Sequence, residues 1–340
     1  MTVSANRRRS KSESPSLDKI AKCAIGVDLG STNLRVGLVR DDGKILRLLR
    51  GRAVQNGSQG AGSSVHQLAS LVREVLASPE ASAVSLDGLG IGVGGQVNRQ
   101  GEIVGTNGPR HQHWETVPFR RLAEQELLNV LPVRVDNDSK VAAWGEYLFG
   151  AGRGTDCMIC LTIGTGVGGG IVLNGKLLHG ASGLAGHLGF VSVDMHGPRC
   201  PSGVVGCVER YASGAAMTSA AREALRSGRK SEALDLAQGN IDAVTSPMIF
   251  EAARHGDSLA KETVRDAAYA LGVAIATLLH VFDPDVVVVG GGVAEQGDVF
   301  LDPVRRTVEE FSMLNFAGTP IKAAELGNLA GVVGAAALYW

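Results

Sequence analysis

Leu161-Thr162-Ile163-Gly164-Thr165-Gly166-Val167-Gly168-Gly169-Gly170-Ile171-Val172-Leu173-Asn174-Gly175 is the stretch whose reading decides the fold. An apolar run of strand type stops in a dense glycine turn, a second apolar run follows, and Asn174-Gly175 turns the chain back as a hairpin. Glycine leaves backbone N–H groups uncovered and lets a bulky anion approach, so such a turn can cradle phosphate. One glycine turn is weak support. An earlier near-copy strengthens it: Ala24-Ile25-Gly26-Val27-Asp28-Leu29, the turn Gly30-Ser31-Thr32-Asn33, then Leu34 to Val39, closed by Asp41-Asp42-Gly43. The same strand, turn, strand, Asx-Gly order occurs twice. Two such units facing each other would clamp a polyphosphate between two half-molecules.

Length and composition bound the alternatives. A chain of 340 residues, 44% hydrophobic and 20% charged, can build one or two domains with a large core. Its net charge of −1 gives no reason to expect nucleic acid or a membrane surface as partner. No apolar run is read as reaching membrane-spanning length and no signal peptide is seen, so the expected location is the cytoplasm. Five cysteines at uneven spacing do not read as a disulfide framework. Residues 1–22, polar with little to bury, read as a disordered tail.

Outward from the two units, Asp28 ends the first strand beside its turn. There it either caps that turn or holds a Mg²⁺ through water. Ser64 to Ala77 has helical apolar spacing, and Leu89 to Gly95 is another strand entering a glycine turn. Asn107, His111 and His113 lie in a polar loop. Val133-Arg134-Val135 delivers Asp136-Asn137-Asp138 to the start of a helix over 139–149. A carboxylate there is either a cap or a base for a hydroxyl facing the phosphates. Cys157 and Cys160, three apart on a strand, point to opposite faces and do not form a redox pair. Asp257 caps a long helix, and Val286 to Val289 is a buried strand entering Gly290-Gly291-Gly292, where a nucleoside could lie on bare backbone. The segment 328–340 reads as a helix crossing back to the first half.

These pieces in this order resemble the ROK family of sugar kinases and regulators over about residues 23 to 340. The matches are Asp28-x-Gly30-x-Thr32-Asn33, Asn137-Asp138 before Ala142-Ala143, the run from Ile163 through Gly166, Gly168, Gly170 and Gly180 to Gly186, and Gly206-Cys207-Val208-Glu209. The resemblance implies an α/β protein of the actin-like (ribonuclease-H-like) ATPase fold, two α/β domains around a central cleft. One domain would span 23–137 with helix 328–340 packed back on it, the other 138–327. It implies Asp138 as the base, with Asn137, Glu209, His187, Asn107 and Gly95 around the sugar. Asp28, Gly30, Ser31, Thr32, Asn33, Gly164, Thr165 and Gly166 would serve the phosphates and their Mg²⁺, and Gly290, Gly291 and Gly292 the adenosine of ATP. A homodimer is also implied.

Departures accompany the matches. The family places Glu and His where this chain has His187 and Phe190, and a cysteine where it has Ser202. Two of four zinc ligands are therefore missing, and loss of the structural zinc is expected, with Cys200 and Cys207 as residual candidates or as reduced thiols in the core. Two functions compete: an ATP-dependent hexose kinase, and a catalytically weak sugar or nucleotide sensor. With only the polar tail before the first strand, a DNA-binding repressor is not the expectation, and the retained Asp138 favours the kinase.

Overall fold

The computed structural model describes residues 21–30, 32–53, 60–105 and 116–340. Ser31, Asn107, His111, His113 and nearly all of the expected tail lie outside the described residues.

The repeat read in the sequence becomes a repeat of topology. The first half contains β1 (Lys22–Leu29), β2 (Asn33–Arg40), β3 (Ile45–Arg52), α1 (Gly60–Leu76), α2 (Pro79–Ser82), β4 (Ser85–Val93), the hairpin β5 (Gln96–Val97) and β6 (Ile103–Gly105), α3 (Phe119–Glu126) and β7 (Val133–Asn137). α4 (Asp138–Phe149) follows. The second half contains β8 (Met158–Ile163), β9 (Val167–Leu173), β10 (Lys176–Leu177), α5 (Glu209–Ala212), α6 (Gly214–Arg226), α7 (Glu232–Leu236), α8 (Ser246–Arg254), α9 (Ser258–Phe282), β11 (Val286–Gly290), α10 (Asp298–Phe311) and β12 (Ile321–Ala323). α11 (Ala330–Ala336) closes the chain with a final 3-10 turn. One sheet runs in the order β3-β2-β1-β4-β7, the other β10-β9-β8-β11-β12. In each, the founding strand lies antiparallel to its hairpin partner and parallel to the strand on its other side.

Period-two alternation explains what each sheet face does. On β1, Cys23, Ile25, Val27 and Leu29 join the core with Val65, Leu68 and Val72 of α1. The intervening Ala24 meets Val332, Val333 and Ala336 of α11, and Asp28 shares this second face. On β8, Ile159, Leu161 and Ile163 pack with α9, whereas Met158 and Cys160 pack with Ala143 of α4. The inner faces of both sheets thus turn toward α4 and α11, which pack on each other. The backbone of α11 lies directly on the sheet: a Cβ at Gly26 or Gly90 would overlap the carbonyl of Val332 or Ala335.

α4 begins abruptly because Asn137 caps it, its Oδ1 accepting from Ser139 N and Lys140 N. α9 is capped by Asp257, which accepts from Ala260 N at 2.8 Å, and it ends at Asp283 in the left-handed region, φ 45°. One sequence expectation needs correction: α9 is long and apolar enough to cross a membrane by length and composition. It reached that composition as a core helix, with its apolar side buried against α8 and α10.

Candidate active site

The carboxyl ends of β1 and β8, the start of α4, the turn after β11 and the lead-in to α11 enclose a cleft of about 210 Å³. Asp28, Arg35, Asp138, Ser139, Thr162, Gly290 and Gly291 line it, with Gly327, Asn328 and Gly331 from the last segment. Four residues named from the sequence, Asp28, Asp138, Gly290 and Gly291, therefore meet in one cavity.

Asp138 is the first residue of α4. Three donors converge on its Oδ1: Ser139 N at 2.7 Å, Asn137 Nδ2 at 2.9 Å and Ser139 Oγ at 3.3 Å. Ser139 Oγ is in turn 3.1 Å from Thr162 Oγ1, which joins α4 to β8. Asp28 accepts from Arg35 Nη1 at 2.8 Å. Burial, and after it the Asp138 charge, push the Asp28 carboxyl above its usual range, with Arg35 opposing.

Asn137 is expected to bond the sugar, yet its amide is fully engaged within the protein. Oδ1 accepts from Ser139 N and Lys140 N at 3.1 and 3.2 Å, and Nδ2 donates to Gly95 O and Asp138 Oδ1, both at 2.9 Å. An amide offers two donors and two acceptor sites, so nothing is left over. Gly95 is placed by the same contact.

The turn between β8 and β9 is closed by Gly164 N donating to Gly166 O at 2.9 Å. Glu209, at the start of α5, accepts from Val167 N at 2.9 Å. A Cβ on Gly166 would stand 2.5 Å from Glu209 Oε2, while a Cβ on Gly164 would meet nothing within 4 Å. Gly166 is therefore packed against Glu209, and Gly164 is the open position. In the other turns, Gly30 N donates to Asn33 O at 3.0 Å, and Val293 N, after Gly292, donates to Ile163 O at 3.0 Å, tying the third glycine turn to the second.

His187 sits at the start of a 3-10 turn with its ring 6.3 Å from that of Phe190. Its Nε2 is buried and makes no hydrogen bond among the described residues. Burial, then the nearby Lys140 charge, hold the imidazole below its ordinary value, against a weaker pull from Asp136.

Cys200 and Cys207 form a disulfide, which corrects the reading of these two as residual zinc ligands or reduced thiols. Residue counting missed it because a small hairpin, bridged at Arg199–Val205 and Ser192–Cys207, folds the two together. Cys23, Cys157 and Cys160 are free and buried. Among the described residues, no three His, Cys, Asp or Glu side chains gather as a metal-ligand group.

Three residues of the site escaped the sequence reading. Arg35 lies directly opposite Asp28 in the β1–β2 register, a signal that hairpin pairing carries. Glu146, 1% exposed, accepts from Ala151 N, Glu325 N and Leu326 N and so anchors the segment leading to α11. Lys140 is fully buried beside Asp136.

The ROK family model matches residues 24–340. The chain is 38% identical over 318 residues to the glucokinase of Thermotoga maritima, covering 92% of this chain and 96% of that one. It is 36% identical to the glucokinase of Streptomyces coelicolor over 319 residues, with the same two coverages. The crystal structure of a ROK family glucokinase from Streptomyces griseus with glucose and AMPPNP superposes with a TM-score of 0.78 at 34% identity, covering 93% of this chain and 98% of that one. The architecture is that of the actin-like ATPases, two α/β halves about a central cleft. Because the family model spans all but the first residues, the chain belongs to the ROK family.

Proposed function

We propose that this chain transfers the γ-phosphoryl group of ATP to a hexose hydroxyl, that of glucose or a related hexose and at C6, with Asp138 as general base. Its standing as a kinase of the glucokinase type rests on similarity to glucokinases over nearly the whole chain. The observation that carries the finer reading is the meeting of Asp28, Asp138 and the Gly290-Gly291 turn in one cleft. Phosphoryl transfer asks mainly for positioning, charge neutralisation and one aimed acceptor, and this cleft supplies a candidate for each.

In this reading Asp138 takes the hydroxyl proton as the sugar oxygen bonds to the γ-phosphorus and the bond to the ADP oxygen breaks. Asn137, its amide spent on Gly95, Asp138 and the helix start, positions the base rather than the sugar. Glu209 and the Nε2 of His187, without a partner among the described residues, are left to bond sugar hydroxyls, joined by Asn107. The turns Gly30–Asn33 and Gly164–Gly166 hold phosphates, and Gly290–Gly292 the adenosine.

Asp28 and Asp138 are hard oxygen donors, which fits Mg²⁺, an ion that uses one or two carboxylates and takes its remaining ligands from water and phosphates. With one Asp28 oxygen engaged by Arg35, contact through water suits the site. The ion would supply neutralisation of phosphate charge. A structural zinc does not fit the residues present, since Cys200 and Cys207 are spent on each other. Domain limits of 23–137 with 328–340, and 138–327, a homodimer and a cytoplasmic location belong to the same reading.

The test is a coupled ADP-release assay with ATP across a hexose panel, followed by identification of the phosphorylated position. Saturable turnover on glucose or a close epimer is expected. No turnover above the ATP-only background on any hexose would overturn the hexose assignment.

A further inference from the structure

Lys140 stands two residues after Asp138 with its side chain 1% exposed, and the chemistry above gives it no part. A buried ammonium is costly unless each of its protons finds a partner. Its Nζ lies 3.2 Å from Asp136 Oδ1 and donates to the carbonyl of Gly183. Asp136 also bonds His179 Nε2 at 2.7 Å through its other oxygen and accepts from Asn137 N at 2.7 Å. Burial pushes Asp136 up, but the His179 bond and the Lys140 charge outweigh it and hold the carboxyl below its usual range.

The segment receiving these contacts follows β10 and leads to His187. Its carbonyls are taken in succession. Arg99 Nη2 donates to Gly180 O at 2.5 Å, Arg99 Nε to Ala181 O at 3.1 Å, Arg99 N to Ser182 O at 3.2 Å, and Lys140 to Gly183 O. Arg99 lies between β5 and β6, in the first half. Gly183, at φ 97°, runs so close to that hairpin that a Cβ would stand 2.7 Å from Arg99 N. Four consecutive carbonyls are thus tied, three to the hairpin of one half and one to the helix that carries the base.

We propose that Lys140 is a positioning residue: it fixes the 179–187 segment, and with it His187, against the strand end that carries Asn137 and Asp138. This rests on the reading of His187 as a sugar contact. A lysine that only filled the core would not need to reach the carbonyl of Gly183, in the segment after β10, while pairing the carboxylate next to Asn137 and Asp138. Holding both ends, it sets the distance between the group that binds the sugar and the group that takes its proton.

Two readouts test it in Lys140→Met. Hydrogen exchange of the unliganded protein should show amides in 179–187 exchanging at least about tenfold faster, with β8 and β9 protected as before. The sugar KM should rise about tenfold or more while the ATP KM stays within about twofold. Since the variant leaves Asp136 short of a partner, Lys140→Met/Asp136→Asn serves as a second case, with both charges gone and the acceptor for His179 kept. The same exchange and KM pattern is expected there, with thermal stability regained. Unchanged exchange in 179–187, a parallel rise of both KM values, or a wild-type sugar KM in the double variant would each overturn the proposal. If the wild type phosphorylates no hexose, the proposed function fails, and the exchange experiment still decides whether Lys140 tethers the segment.

Discussion

The Asp138 carboxylate, at the first turn of α4, raises the pKa of Asp28 at the end of β1. Burial is the larger cause and Asp138 the second, and Arg35 works against both. A carboxyl whose ionisation is disfavoured by a neighbouring carboxylate reports on that neighbour's charge.

Asp138→Asn uses this coupling. Asn keeps the shape and one acceptor but cannot take a proton, so kcat should fall by about 10²–10⁴-fold while nucleotide affinity holds. The Asp28 titration, followed by carboxyl NMR, should move down as its neighbour's charge disappears. A variant retaining more than about a tenth of the wild-type kcat would place the base elsewhere.

The glycines of the β8–β9 turn separate two substrates. A Cβ at Gly164 enters open space, so Gly164→Ala should leave the fold intact and raise the ATP KM. A Cβ at Gly166 meets Glu209 Oε2 at 2.5 Å, so Gly166→Ala should displace that carboxylate and raise the sugar KM in addition to the ATP KM. Initial-rate kinetics with each substrate varied in turn decide it. If both variants raise only the ATP KM, Glu209 is not a sugar contact.

His187 makes stability depend on pH in a stated direction. Its native value is held below 6.5, chiefly by burial, while in the unfolded chain it titrates near the ordinary imidazole value of about 6.5. Between those two values the unfolded chain binds more protons, so stability rises with pH. The contribution is complete above about pH 6.5 and is lost as pH falls through the lowered native value. His187→Gln should flatten the urea-midpoint profile on the acid side. Identical slopes in the two proteins would show that the ring titrates normally.

Metal analysis bears on Cys200 and Cys207. Protein purified without reductant should carry the linked peptide and little zinc. One zinc per chain surviving dialysis against chelator would mean that the two sulfurs serve as ligands rather than as a disulfide.

Local chemistry was legible and distant pairing was not. The two strand-turn-strand units could be read because alternation and Asx-Gly turns are written within a few residues of each other. The Asp257 cap and the buried Val286–Val289 strand were legible for the same reason. The internal hydrogen bonds of Asn137 were not legible, because they depend on partners such as Gly95, which sequence does not place. Lys140 drew no reading at all, because its partner Gly183 comes from the segment after β10, far off in sequence. Glu146 likewise gains its meaning from Glu325 and Leu326, which fold back onto it from the far end of the chain.

The placement of α11 has a consequence for biosynthesis. Its residues 330–336 cover strands formed by residues 22–29 and 85–93, and the segment just before it forms one wall of the cleft. On the ribosome, the first sheet emerges with its inner face bare and must wait for nearly the whole of the second half to be translated. Contacts so remote in sequence form late, and exposed apolar surface invites aggregation in the interval. A chain released before α11 would therefore lack both a sealed first half and a finished cleft.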